Sequence, residues 1–261
     1  MTQASVGFHC PECARGGQQR VYSGARAFAP QRPIVTIALI AINVGVYLAG
    51  VAQAGTGLLT DASPFANDYG MIGSGLLVHS RTSFELIGVA HGEWYRLVTA
   101  GFLHVGLWHI GLNMVALWFL GSQIEPLVGR VKFAVVYMSS LLAGSLGVII
   151  LSPHEITVGA SGAIFGLLGF AVAYQRSRGI NIWQSGLGAI LVLNLLFTFG
   201  VSGISIGGHI GGLIGGYFCG LILYELTPRM KTHPSVPVVL CGAVGVLSFI
   251  ASLVVAAGLS P

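Results

Sequence analysis

The sequence IGGHIGGLIGGYFCGLILY, residues 206–224, decides the fold. It has no charged side chain and approaches the length of about 20 mostly apolar residues that a membrane-spanning helix needs. Glycine recurs at Gly208, Gly212, Gly216 and Gly220, which gives a helix one smooth face. Small residues let helices approach closely in a bilayer. The stretch therefore predicts a transmembrane helix that packs tightly against a neighbouring helix.

The composition of the whole chain agrees with a lipid environment. Of the 261 residues, 54% are apolar and 8% are charged, and the mean hydropathy is +0.83. A soluble domain usually carries about 25% charged residues. The composition therefore excludes an ordinary soluble domain. The formal net charge of +4 is small, and we expect no nucleic-acid partner.

Seven apolar segments are candidate spans, which predicts an all-α, polytopic membrane protein. They are Ile34–Ala54, Leu103–Leu120, Phe133–Leu151, Ala160–Tyr174, Ile182–Val201, Ile206–Tyr224 and Val236–Ala257. Lys and Arg collect on the cytoplasmic side of membrane proteins. If the N-terminus is cytoplasmic, ten of the twelve Lys and Arg residues fall on that side. This distribution predicts a cytoplasmic N-terminus and an external C-terminus.

The segments outside the spans are expected to form a tail and a long loop. Residues 1–32 are a basic cytoplasmic tail, and Gly55–Ala100 is an external loop that partly re-enters the membrane or lies on its surface. No apolar core follows Met1, so we expect no cleavable signal peptide. Cys10 and Cys13 form a C-x-x-C, but a structural zinc site normally needs four ligands, so we expect no working metal site.

Ser161 is a candidate nucleophile. It lies at the predicted start of the fourth helix, in the sequence VGASGA of residues 158–163. Free backbone N–H groups at a helix start can stabilise a developing oxyanion, and glycine permits the close approach of a substrate chain. The alternative is that Ser161 is a helix cap and that its neighbouring glycines serve packing.

His209 is the candidate base for Ser161. The glycine series around His209 has a counterpart in the fourth helix, at Gly162, Gly166 and Gly169. Two such faces would bring the imidazole to the hydroxyl, and a neutral imidazole could then take its proton. The alternative is a structural histidine bonded to a neighbouring helix.

His104, His109 and Asn113 form a third polar group, predicted to lie in the second helix. His109 and Asn113 are four residues apart and share a helix face, so their N–H groups could hold an oxyanion beside the Ser161 amide. His104 is expected to shape the site through hydrogen bonds. A metal site is the rival interpretation, weakened because no Asp lies in any predicted span.

In combination, these motifs resemble the rhomboid family of intramembrane serine proteases. The motifs are H-x₄-H-x₃-N from His104, G-x-S-G from Gly159 and H-x-x-G-x-x-x-G from His209. Trp94-Tyr95-Arg96 resembles the family's tryptophan–arginine element with one extra residue, and Glu125 resembles its structural acid.

The resemblance implies a six-helix catalytic core over residues 33–225, and a cytoplasmic loop with a seventh transmembrane helix over residues 226–261. It implies that Ser161 is the nucleophile and His209 the general base. The remaining residues that it assigns to the oxyanion hole or to the shape of the site are His109, Asn113, His104, Gly159, Gly162 and Phe165. Phe165 stands where many members have Tyr, and its ring is expected to stack on His209.

The expected activity is hydrolysis of peptide bonds in or near transmembrane segments of other membrane proteins, by a Ser–His dyad without cofactor or metal. The expected partners are transmembrane substrates and the lipid bilayer, and the expected location is a bacterial inner membrane. The sequence names no substrate and no oligomeric state. Two alternatives are a silent relative that binds transmembrane helices and a transporter or channel that uses intramembrane histidines. The second would more often carry carboxylates within its spans.

Overall fold

The computed structural model describes residues 2–3, 8–9, 32–54, 65–80, 83–230, 233 and 235–259. The chain divides into two compact units, residues 1–32 and 33–261. In the first unit, strands β1 (Thr2–Gln3) and β2 (Phe8–His9) pair antiparallel. The basic residues Arg15, Arg20, Arg26, Arg81 and Lys231 and the pair Cys10 and Cys13 lie outside the described residues.

The second unit is mainly helical. Its α-helices are α1 (Ile34–Ala54), α2 (Ala66–Tyr69), α3 (Arg96–Thr99), α4 (Leu107–Val128), α5 (Arg130–Leu151), α6 (Ser161–Ser177), α7 (Leu187–Gly200), α8 (Ile206–Leu221), α9 (Thr227–Met230) and α10 (Val236–Ala256). A π-helical turn at Ile222–Leu226 joins α8 to α9, and 3-10 turns lie at Val89–His91 and Ala100–Phe102.

The predicted membrane-spanning, mostly helical architecture is confirmed. Within the described ranges, four helices are long and apolar enough to cross a bilayer, namely α1, α5, α10 and the continuous Ile206–Met230. Arg96–Phe102 and α4 pass the same test as a pair bent by 93°. The 17 residues of α6 give a helix about 25 Å long, shorter than the roughly 30 Å hydrocarbon core. The count of seven spans stays a prediction.

The predicted bounds of the second span, Leu103–Leu120, are wrong at both ends. α4 begins at Leu107, because Gly106 at φ 74° turns the chain sharply before it. His104 therefore lies in the bend before the helix and not within it. At the other end α4 continues to Val128 and includes Pro126.

Glu125 lies in the part of α4 beyond the predicted end and binds the start of α1. Its carboxylate is 2% exposed and accepts the backbone N–H groups of Val35 and Thr36, at 2.9 and 2.8 Å. The Thr36 hydroxyl donates to the same carboxylate at 2.8 Å. The acid thus satisfies free N–H groups at the start of α1, where negative charge is favoured. The charged residue Glu125, which in the sequence lies just after the predicted span, is therefore buried between α4 and α1.

The loop between α1 and α3 contains β-structure in its described part, so the all-α prediction was incomplete. Strands β3 (Gly75–Ser80) and β4 (Ser83–Ile87) form an antiparallel hairpin. Leu76 pairs with Leu86 and Val78 with Phe84, and all four side chains are exposed. Because Leu76–Val78 is a continuous apolar run, the alternation that normally marks a strand is hidden.

Arg96 anchors the same loop. It is 1% exposed, and it donates from Nε to Glu93 at 2.7 Å and from Nη1 to the Gly70 carbonyl at 2.8 Å. Burial raises the pKa of Glu93, but hydrogen bonds from Arg96, the Gly88 N–H and Tyr95 outweigh this and leave the pKa below 4.5. The stabilisation from this carboxylate is therefore present above its unfolded pKa and is lost as the pH falls through the lowered folded value.

Helix α8 is held between α5 and α6 by two faces of glycine. On one face, a Cβ at Gly212 or Gly216 would overlap the carbonyl of Gly162 or Gly166 in α6. This is the predicted contact of the two glycine series. The other face was not predicted, and there a Cβ at Gly207 would overlap the Gly147 carbonyl of α5. The backbones of three helices therefore touch directly.

Helix α10 packs against α5. Ser139 of α5 donates to the Cys241 carbonyl at 2.8 Å, and a Cβ at Gly245 would stand 3.0 Å from the Ser139 Cα. Cys219 and Cys241 are free, buried thiols in this region, as expected for packing residues. Near the other end of α10, Phe249 makes an edge contact with Trp94, which lies just before α3, at 6.4 Å between centroids.

Candidate active site

Ser161 is the first residue of α6, directly after the N-cap residue Ala160. Ala160 makes no side-chain cap, so no N-cap side chain occupies the first N–H groups of the helix. Ser161 is not the N-cap residue either, because it is already the first residue of the helix, and its Oγ lies 2.8 Å from Nε2 of His209. The start of α6 thus combines a hydroxyl, an imidazole and a helix end that favours negative charge.

His209 lies in the first turn of α8 and is 8% exposed. The side chain of Ser205 caps this helix by accepting the Gly208 N–H at 3.1 Å. One residue further on is His209, and the glycine contact between α6 and α8 brings its ring to Ser161. The 2.8 Å distance therefore depends on rigid backbone packing more than on a flexible side chain.

Two further side chains hold the imidazole ring of His209. Phe165, one turn after Ser161, stacks on the ring with centroids 3.9 Å apart and an interplanar angle of 16°. This is the stacking that the sequence predicted. Thr198 of α7 places its Oγ1 2.7 Å from Nδ1 of His209, a contact that the sequence did not predict. Asn194 and Thr198 are the polar residues of the otherwise apolar α7 and lie four apart, a signal that could have found them.

His109 approaches Ser161 from α4. Its Nδ1 accepts the Val105 N–H in a long bond of 3.5 Å, which leaves the neutral ring with its proton on Nε2. A Cβ at Gly159 would stand 2.7 Å from that Nε2 and 3.6 Å from the Ser161 Oγ. Gly159 also has φ 130°, which L side chains rarely adopt. Glycine therefore keeps a space open between an N–H donor and the serine hydroxyl.

His104 and Asn113 support this region from two sides. His104 is 2% exposed, its Nε2 accepts the Ala160 N–H at 3.4 Å, and its ring meets that of His109 at 5.0 Å. It therefore ties the bend before α4 to the start of α6. Asn113 is 7% exposed and donates from Nδ2 to the His109 carbonyl at 3.1 Å. One amide hydrogen of Asn113 is thus used within α4, and the other is left for a further acceptor.

A cavity opens beside Ser161. Its wall comes from the loop before α6, from α5 and from the start of α8, with Gly159, Gly162, Ser145, Thr157 and Gly208 among the lining residues. Glycine and small polar side chains thus make up much of the wall, which suits the approach of a peptide backbone. In the part of the chain that the structure describes, no group of three or more His, Cys, Asp or Glu is placed to hold a metal ion.

The fold and this site together define a class, that of helical integral membrane proteins with a serine–histidine pair enclosed between packed helices. Comparison with known families narrows the class. The Rhomboid domain model matches residues 91–226, which is more than half of the chain. The chain belongs to the rhomboid family, as the sequence predicted.

Several curated proteins are similar to the chain. Rhomboid protease GluP of Bacillus subtilis is 39% identical over 138 residues, which cover 52% of this chain and 27% of GluP. Putative rhomboid protease YdcA of the same organism is 33% identical over 147 residues, 55% of this chain and 74% of YdcA. RHOMBOID-like protein 6, mitochondrial, of Arabidopsis thaliana is 31% identical over 196 residues, 66% of this chain and 60% of that protein. The chain thus matches about a quarter of GluP and most of YdcA.

Proposed function

We propose that the protein is an intramembrane serine endopeptidase that cleaves peptide bonds in or near transmembrane segments of other membrane proteins. The observation that carries the proposal is the 2.8 Å approach of the His209 Nε2 to the Ser161 Oγ at the start of α6. A hydroxyl within hydrogen-bond reach of an imidazole that is itself held by further groups is the usual arrangement of an activated nucleophile. Two relatives whose names include rhomboid protease support the same proposal.

In this proposal Ser161 attacks the scissile carbonyl carbon, and its proton moves to Nε2 of His209. The new Oγ–C bond forms as the carbonyl becomes an oxyanion, which the Ser161 amide, the His109 Nε2–H and the free Asn113 amide hydrogen would stabilise. The C–N bond then breaks, and His209 gives its proton to the leaving amine. Water next attacks the acyl carbon and gives a proton to His209. The bond from that carbon to the Ser161 Oγ then breaks, and His209 returns the proton to Ser161.

The short α6 has a consequence for the substrate. Because Ser161 starts a helix of 17 residues that does not span the hydrocarbon core, we infer that the dyad lies below the membrane surface. A transmembrane substrate helix must unwind there to expose its amide. Substrates with Gly, Pro or polar residues near the cleaved bond should therefore react best, because these residues destabilise a helix.

The proposal includes the topology. A six-helix core over residues 33–225, made of α1 and α4–α8, would hold the site, and α10 would be a seventh span. The N-terminus would be cytoplasmic and the C-terminus external, in a bacterial inner membrane. The Lys and Arg distribution supports this orientation. Cysteine accessibility to a membrane-impermeant reagent, at single positions in the loops, tests it.

The activity is tested with the full chain in proteoliposomes and a model transmembrane substrate that carries a helix-destabilising residue near the external end of its span. We expect cleavage by the wild type and a loss of about 10³-fold or more in Ser161→Ala and His209→Ala. The matched control is Ser202→Ala, since Ser202 is exposed in the loop between α7 and α8. A folded wild-type protein that cleaves no such substrate, or undiminished cleavage by Ser161→Ala, would refute the proposal. The first result would favour a silent relative.

A further inference from the structure

Thr198 is the residue of α7 that reaches the dyad. It is 2% exposed, and its Oγ1 lies 2.7 Å from the Nδ1 of His209, on the side of the ring opposite the nitrogen that meets Ser161. Apart from Thr198, α7 buries only Leu187 and Gly188, at its first turn. The packing of α7 alone therefore does not explain why a hydroxyl is buried at this point.

The direction of the bond between Thr198 and His209 follows from proton counting. A threonine hydroxyl has one hydrogen. The Thr198 Oγ1 lies 2.8 Å from the Asn194 carbonyl, which can only accept, so the hydroxyl donates its hydrogen there. Toward His209 the same oxygen must then act as an acceptor. The Nδ1 of His209 must therefore carry a proton.

The proton on Nδ1 decides what the other ring nitrogen can do. Among the described residues, no carboxylate forms an ion pair with His209, and an unpaired buried charge is costly. The ring is therefore neutral, with one proton. If that proton is on Nδ1, Nε2 carries a lone pair and accepts the Ser161 hydroxyl, which is the arrangement that a general base requires.

We infer that Thr198 is a positioning residue that fixes the tautomer of His209, by accepting its Nδ1–H, and so keeps Nε2 ready to take the proton of Ser161. The inference rests on the proposed function for its catalytic meaning, but the tautomer itself is a property of the resting protein. Thr198 would do with a neutral hydroxyl what a carboxylate does in a serine–histidine–aspartate triad.

A purely structural role makes a different prediction. Threonine in a helix often donates to the carbonyl four residues earlier, with no further function. Thr227, the first residue of α9, provides the control, because it is 4% exposed and its hydroxyl also donates to a backbone carbonyl of the preceding turn, that of Ile222 five residues earlier, at 2.7 Å. Loss of a buried hydroxyl as such should affect Thr198→Val and Thr227→Val equally.

The experiment combines kinetics and nitrogen NMR. We expect Thr198→Val to lower kcat by about 10- to 100-fold with little change in KM, by analogy with the partners that orient metal-bound histidines. Thr198→Ser keeps the hydroxyl and should restore most of the activity, and Thr227→Val should leave kcat unchanged. The same ratios are expected for the rate of labelling by a fluorophosphonate.

The ¹⁵N resonances of His209, assigned by comparison with His209→Gln, report the tautomer without any turnover. The wild type should show the proton on Nδ1, and Thr198→Val should lose this preference. A wild-type ring protonated on Nε2 would overturn the inference, and this result does not depend on whether Thr198→Val folds in detergent. A Thr198→Val protein with unchanged tautomer and kcat would also overturn it. If the tautomer is as expected but no substrate is cleaved, the proposed function fails and the positioning role stands.

Discussion

Helices α7 and α8 both hold His209, and they do so by different means. The buried residues of α8 are mostly glycines that pack against α5 and α6, so that the α8 backbone contacts the backbones of both helices. α7 buries one side chain near the site, Thr198, and exposes large apolar residues such as Leu196 and Phe199. The difference separates two requirements of the site, the distance between Ser161 and His209 and the position of the proton on the His209 ring. Rigid backbone contact sets the distance between Ser161 and His209, whereas a single hydroxyl on a helix that faces outward sets the state of the ring.

The largest effect is expected where the rigid contact is broken. A Cβ at Gly212 would overlap the Gly162 carbonyl, which is backbone and cannot move aside cheaply. Gly212→Ala should therefore force α8 away from α6 and lower cleavage by at least about 10³-fold, because a displacement of about 1 Å already costs about 100-fold and this overlap requires a larger one.

The matched control for Gly212→Ala is Gly200→Ala in α7. A Cβ at Gly200 would meet no atom within 4 Å, so we expect nearly wild-type activity. Equal loss in the two variants would show that glycine is needed for helix flexibility rather than for contact. Thermal unfolding in detergent, measured beside the cleavage rate, separates a local displacement from global loss of fold.

The next effect is expected at Gly159, in the loop two residues before Ser161. Gly159→Ala would place a methyl group 2.7 Å from the His109 Nε2, in a backbone conformation unfavourable for alanine. We expect kcat to fall by about 10²–10³-fold, the usual cost of one lost oxyanion donor. Single-turnover kinetics would measure it. A variant with wild-type kcat would remove His109 from the proposed oxyanion site.

A smaller effect is expected when the stacked ring is changed. Phe165→Leu removes the ring that lies 3.9 Å from the imidazole, and it should lower kcat/KM by roughly tenfold, since aromatic pairs contribute about 0.5–1.5 kcal/mol. Phe165→Tyr keeps the ring and should stay close to wild type. If Phe165→Leu matches Phe165→Tyr, the glycine contact and Thr198 suffice to hold the ring.

The smallest effect is expected on the outer surface of α7. Leu196 is 65% exposed, so Leu196→Ala should change the free energy of unfolding by no more than about 0.5 kcal/mol and leave kcat unaltered. Unfolding in detergent and the cleavage assay check both values. A large loss of kcat in Leu196→Ala would mean that α7 positions His209 through its whole surface and not through Thr198 alone.

The contact that brings His209 to Ser161 could be predicted because glycine at every third or fourth residue has few other uses in a helix. The two glycine series, in α6 and α8, predicted that these helices pack closely against each other. Ser161, His209 and Phe165 lie along that contact between α6 and α8. The bend before α4 was less accessible. Its cause is the single glycine Gly106, which leaves the apolar pattern unbroken, so the predicted helix included His104.

The remaining features depend on contacts between distant parts of the chain. Glu125 caps a helix that begins about 90 residues earlier. Gly207 contacts α5 through a second glycine face of α8, which the sequence does not distinguish from ordinary packing of small residues. Thr198 makes the backbone bond common to many helical threonines, and only the fold reveals that its oxygen also reaches His209. None of these pairings leaves a periodic trace in one sequence.

The most direct test of the account is the chemical state of Ser161 after treatment with a fluorophosphonate. The full chain in detergent is labelled, digested and analysed by mass spectrometry. The account predicts a single adduct on the peptide that contains Ser161, absent from Ser161→Ala and strongly reduced in His209→Ala, with Ser202→Ala labelled like the wild type. An adduct elsewhere, or labelling that persists at full rate in His209→Ala, would contradict a serine activated by His209.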